Sequence, residues 1–166
     1  MKKLIIILLI LVLIPGCKSK EDEAKLNSYD TKMTCKYTYE DELDGDINES
    51  DSIIYVDYDE EDNVIAAIYQ SISSLDNYND YLLGSLDAII HLYNSMSGIK
   101  ASKYIVGESL VFEIMYEYEK IDLNEFRENL GDLIDEESMF ATVKSLPIKL
   151  SEFESLELKD YECEVK

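Results

Sequence analysis

The order and periodicity of its apolar residues predict an α+β domain: an antiparallel sheet of about five to six strands, one long helix and short C-terminal helices. Three observations predict it. Residues 33–40 alternate Met33, Cys35, Tyr37 and Tyr39 with Thr34, Lys36, Thr38 and Glu40, a period of two. Residues 75–96 set Leu75, Tyr78, Leu82, Leu86, Ile89, Tyr93 and Met96 at steps of three and four, one apolar stripe on a helix. Past residue 120 the apolar clusters are short, and each follows an acid or hydroxyl at capping distance.

The chain opens Met1-Lys2-Lys3, runs apolar from Leu4 to Ile14, and breaks at Pro15-Gly16 before Cys17. A positive start, a short apolar run and a small residue at the cut describe an export signal over residues 1–16. That run makes about 16 Å of helix at 1.5 Å per residue, roughly half of a bilayer core. It is too short for a stable span. Ile14-Pro15-Gly16-Cys17 resembles the lipobox of bacterial lipoproteins, with Pro15 where that family usually has Ala, Ser or Thr. The resemblance implies that the Cys17 thiolate receives diacylglycerol as a thioether and that a peptidase then cuts before it. One acyl chain holds a protein marginally, whereas two anchor it stably. The expected location is the cell membrane, lipid-anchored, on the extracytoplasmic side.

Residues 17–31 lack apolar periodicity and read as a lipidated, flexible tether, spanning on the order of 20 Å as a coil. A single domain over 32–166 follows. After the first strand and an acidic loop (41–51), Ile53–Tyr58 and Val64–Tyr69 form an expected hairpin around residues 59–63. Gly98 stops the long helix. A second hairpin is expected over Ile99–Val106 and Leu110–Glu119, turning at Gly107-Glu108. Its second strand faces Leu110, Phe112, Ile114, Tyr116 and Tyr118 inward, against Val111, Glu113, Met115 and Glu117. Asp122 with Glu125, Asp135, and Ser151 with Glu154 are the expected caps of three short helices. Tyr161–Val165 is the last strand.

This layout resembles the small YehR-like lipoproteins, a family of unknown function. The likeness lies in the lipobox, the first strand Thr34-Cys35-Lys36-Tyr37, a Tyr-rich hairpin, a long helix and a closing Tyr161-Glu162-Cys163. It implies an α+β domain on an antiparallel sheet and no activity.

Cys35 and Cys163 remain once Cys17 is lipidated. Outside the cytoplasm such a pair can oxidise and stay oxidised. Each falls on the expected inward face of a terminal strand, and if these strands are neighbours a bridge would close nearly the whole domain. The alternative is two buried free thiols packed as small hydrophobes.

The full chain carries a formal charge of −21; of its 15 basic residues Lys2 and Lys3 leave with the signal, giving 13 against 36 acidic and a net of −23. That balance argues against nucleic acid, whose phosphates need Lys and Arg. It also argues against lying flat on anionic lipid. His91, the single histidine, points away from the helix stripe, so no Ser-His-Asp or Cys-His set can form. Phosphate-loop, dinucleotide and nucleophile-elbow motifs are absent from the sequence. No catalytic residue and no cofactor is expected.

Asp44-Gly45-Asp46-Ile47-Asn48 begins like a calcium loop, but position 6 is Glu49 rather than Gly, and position 12 is Tyr55 rather than Glu. Asp44, Asp46 and Asn48 remain candidates for a non-EF cation site. Tyr37, Tyr39, Tyr116 and Tyr118 read as core, whereas Tyr55 and Tyr69 are the better candidates for exposed rings. The leading expectation is a non-enzymatic, membrane-anchored domain that binds or scaffolds an envelope protein or small ligand. A cation- or small-ligand-binding lipoprotein using the acidic loops comes second, and a carboxylate-based hydrolase third.

Overall fold

The computed structural model describes residues 29–43, 46–131 and 138–166, with the backbone alone for the strand residues between 40 and 49. The signal 1–16, Cys17, residues 18–28, Asp44-Gly45 and Asp135 lie outside the described residues, as do the side chains of Asp46 and Asn48.

The fold is α+β. Six strands, β1 (Met33–Leu43), β2 (Asp46–Tyr58), β3 (Val64–Ser74), β4 (Ile99–Val106), β5 (Ser109–Glu117) and β6 (Glu162–Val165), form one sheet in the order β4-β5-β3-β2-β1-β6. Every neighbouring pair is antiparallel. Two of the junctions are the expected hairpins. In the β2–β3 turn the Asp59 carboxylate accepts the backbone N–H of Glu61 and Asn63 and the Asn63 side-chain amide. Those bonds to the charged form hold Asp59 below its usual pKa.

Within the stretch 41–51, expected as a loop, residues 41–43 and 46–51 are strand. Asp41, Glu42 and Leu43 pair with Asn48, Ile47 and Asp46. The β2–β3 pairing begins only at Ser50↔Ser73. Before Ser50, β2 therefore pairs with β1 alone, in a two-stranded ribbon beyond the sheet's centre. The sequence shows no alternation there.

The long helix is also shorter than its pattern. Leu75–Asn77 is a 3-10 turn, and α1 (Asp80–Asn94) starts where the Asn79 side chain accepts the Leu82 N–H. Its half-buried positions include Leu83, Leu86, Ile90 and Tyr93, while Leu82 and Ile89 are each 39% exposed. The doublets Leu82-Leu83 and Ile89-Ile90 let two stripes fit one pattern, and packing on β4 selects the second. At the far end the Asn94 side chain donates to the Ala101 carbonyl and accepts the Ala101 N–H, capping the β4 edge like an extra strand. Gly98 follows with φ of 77°, and a Cβ there would sit 2.9 Å from the Glu117 carbonyl oxygen. Only glycine fits.

Three short helices complete the inner layer: α2 (Leu123–Leu130), α3 (Met139–Thr142) and α4 (Leu150–Glu157). Asp122 caps α2 as expected, accepting from Asn124 and Glu125. The cap of α3 is Ser138, next to its first turn, rather than Asp135. Helix α4 starts after Lys149, which places Ser151 inside the helix. Backbone bonds between Val64 and Ile148 and between Leu150 and Asp62 fix that start instead. Arg127, the only arginine in the chain, donates from α2 to the Phe140 and Val143 carbonyls at the two ends of α3.

The described helices cover one face of the sheet, the inner face. Register aligns Met33, Val56, Ala67, Tyr116 and Ile99 across it, and beside them Cys163, Cys35, Ile54, Tyr69, Ile114 and Ala101. Tyr116 and Tyr118 stack at 6.0 Å and meet Phe140, and Phe153 of α4 packs on Tyr118. Tyr116 and Tyr118 are in the core as expected. Tyr37 is 40% exposed, because its register neighbour is Ser52 and the described helices stop short of that row. Tyr55 is buried rather than exposed, and Tyr69 is half-buried.

Burial pushes the phenols of Tyr69, Tyr116 and Tyr118 well above their ordinary value of 10.0. Each stays neutral in the folded protein at a pH where the unfolded chain already ionises. Their contribution is therefore complete below about pH 10 and is lost as pH rises above it. The melting temperature is expected to be insensitive to these phenols up to about pH 9 and to fall above about pH 10, with part of the tyrosinate absorbance appearing only on unfolding. A smooth ionisation of every tyrosine without unfolding would contradict this packing.

Candidate functional site

Cys35 and Cys163 are opposite each other in the β1–β6 register and joined by a disulfide across 128 positions of sequence. Cys35 is fully buried, but Cys163 is exposed, as is all of β6. Cys163 thus lies on the inner face beside Cys35, as expected, but stays exposed, because β6 is an edge strand that the described helices leave uncovered. Residues 29–31, assigned to the tether, already belong to the folded unit. The ring of Tyr29 lies 5.1 Å from that of Tyr55, and its hydroxyl donates to Glu113 at 2.7 Å.

Tyr29 leads to a polar cluster on the outer face. Gln70 of β3 and Glu113 of β5 are register partners at the centre of the sheet. Glu113 Oε2 accepts the Tyr29 hydroxyl, the Gln70 Nε2 at 2.8 Å and the Tyr104 hydroxyl at 3.3 Å. Gln70 Nε2 also reaches the Tyr104 hydroxyl at 3.3 Å. Gln70 is only 1% exposed, and its Oε1 accepts no hydrogen bond among the described residues. Burial, followed by the Glu113 carboxylate, raises the phenols of Tyr29 and Tyr55; the same two causes raise Tyr104. All three phenols stay neutral at any physiological pH.

A second carboxylate offers a contrast. Glu157, at the end of α4, accepts the Met139 N–H on Oε1 and the Tyr69 hydroxyl on Oε2. Both oxygens are used, and the residue ties α3 and α4 to the sheet. Its role is structural. Glu113 takes all three of its bonds on one oxygen, and among the described residues it has no cationic partner.

Of the residues singled out in the sequence, Cys17 and Asp44 lie outside the described residues, and Asp46 and Asn48 contribute backbone only. Among the described residues no three His, Cys, Asp or Glu side chains converge as metal ligands. His91 is exposed on α1. An open depression of about 470 Å³ beside α4, lined by Lys144, Lys149 and Glu152 among others, holds a single carboxylate. No described helix is long and apolar enough to cross a membrane.

Sequence reading missed Glu113 and Gln70. Their signal was nonetheless present: Glu113 lies between Val111 and Met115, and Gln70 between Ile68 and Ile72. A solvated face rarely carries such apolar flanks, and a polar residue isolated among them marks a buried polar contact. No family model matches the sequence, and no curated protein or solved structure matches it either.

Proposed function

We propose that this chain is a lipid-anchored protein of the extracytoplasmic membrane surface, of the YehR-like kind, whose non-enzymatic domain binds or scaffolds a component of the envelope. The observation that carries this reading is Ile14-Pro15-Gly16-Cys17 behind an eleven-residue apolar run and two lysines. The Cys35–Cys163 disulfide is in keeping with an oxidising compartment. With the folded unit starting by Tyr29, only residues 18–28 separate it from Cys17, so the domain stays within about 40 Å of the bilayer even when that segment is extended at 3.3–3.6 Å per residue. The high negative charge keeps it off anionic lipid.

Replacing Cys17 tests the anchor. Cys17→Ser is expected to abolish labelling by radioactive palmitate in a bacterial host and to leave an uncleaved precursor. Retained labelling and normal processing of that variant would remove the proposal.

A further inference from the structure

We propose that Glu113 and Gln70, framed by Tyr29, Tyr55 and Tyr104, form a binding site for a small primary-ammonium compound on the outer face of the sheet. It rests on reading the domain as a binding module, but not on the lipid anchor.

The inference starts from unmatched acceptors. Gln70 Oε1 is buried and receives no hydrogen bond among the described residues. Leaving such an oxygen unpaired carries the full desolvation penalty of the group, so a native sheet has reason to place one there only if a donor arrives. Turning the amide round does not cure it. The Gln70 oxygen would then face Glu113 Oε2, 2.8 Å away, and two acceptors would meet. Glu113 adds a second free acceptor. Its Oε2 holds the three protein donors, while its Oε1 receives none among the described residues. The Gln70–Glu113 bond keeps the two free oxygens within a few ångströms of one contact.

Charge and shape then choose the ligand. A carboxylate without a cationic partner, in a chain of net charge −21, attracts a cation. A hard divalent ion wants six to eight oxygens. This site offers one carboxylate and one amide oxygen, and the Tyr29 and Tyr104 hydroxyls are already committed as donors to Glu113. A primary ammonium instead brings three N–H donors and one positive charge. Two donors suit the two free oxygens, and aromatic faces stabilise the charge. Tyr29 and Tyr55, 5.1 Å apart and inclined at 54°, provide such faces beside Glu113. Gln70 is too deeply buried for a bulky head, so the ligand's cationic end must be compact.

The test uses the protein in the form its host produces, in nonionic detergent, titrated with methylammonium chloride and followed by the NMR signals of the Gln70 side-chain amide. Sodium chloride, calcium chloride and tetramethylammonium chloride serve as comparisons, the last having charge but no N–H donor. Methylammonium should give a saturable shift at Gln70. Tetramethylammonium should bind at least tenfold more weakly, and sodium or calcium at matched ionic strength should give no saturable shift. Glu113→Gln should weaken methylammonium at least tenfold while signals outside the site stay unchanged. If that variant does not fold, Gln70→Leu takes its place, read on Tyr29 and Tyr104. No saturable shift up to 100 mM methylammonium, an equal response to sodium or tetramethylammonium, or wild-type affinity in the folded variant would overturn the site. None of these readings depends on acylation, so their failure is distinct from failure of the anchor.

Discussion

Removing the Cys35–Cys163 bridge is expected to lower the melting temperature by on the order of 10–20 °C. The bridge spans 128 positions, and closing a loop of that length restricts the unfolded chain by about 5 kcal/mol in the chain-entropy model. The folded side adds to the effect. Strand β6 has four residues, all exposed, and its described sheet partner is β1. Without the covalent link little apolar burial holds it in place. Cys163→Ser is the cleaner variant, because Cys163 is exposed whereas serine at Cys35 would bury a hydroxyl in the core. Calorimetry of the Cys163→Ser variant beside the oxidised protein checks this. A melting temperature within about 2 °C of the oxidised protein's would show that the bridge does not constrain the chain as its span implies.

Phe153→Ala is expected to cost about 3–5 kcal/mol, a large part of the 5–15 kcal/mol by which a domain of this size is stable. Phe153 has no exposed surface and packs edge-on against Tyr118, which itself stacks on Tyr116. The short helix α4 depends on that one ring, for Phe153 is its only buried residue. Truncation leaves a cavity between α4 and the sheet and removes the anchor of the loop that pairs Asn63 with Lys149. Urea unfolding should give a lower midpoint with an unchanged slope. A loss below about 1 kcal/mol would mean that α4 is not part of the cooperative core.

What the sequence made legible follows from where one face is buried. Hairpins β2–β3 and β4–β5 were readable because alternation against a helical layer leaves a period of two. The Asp122 cap was readable because capping is local. The pairing of residues 41–43 with 46–48 was hidden, since among the described residues β3 pairs with β2 only from Ser50 onward and imposes no pattern before it. The start of α1 was hidden too: apolar Leu75 and Tyr78 extend the helical spacing, yet Asn79 captures the Leu82 N–H and begins the helix later. Tyr37 and Tyr55 exchanged their expected environments, because burial depends on how far the helices reach along the inner face and on what lies over the outer one. The Glu113 cluster needs Tyr29, Gln70, Tyr104 and Glu113 from four places in the chain, and only the register β3–β5–β4 and the return of Tyr29 bring them together. Periodicity carries no record of that return.

The central claim is the anchor at Cys17, and the direct measurement is the mass of the N-terminal peptide from protein extracted out of bacterial membranes. The account predicts a peptide that begins at Cys17 and carries a diacylglyceryl thioether. An N-terminus at any other residue, or an unmodified Cys17 thiol in the membrane fraction, would contradict it.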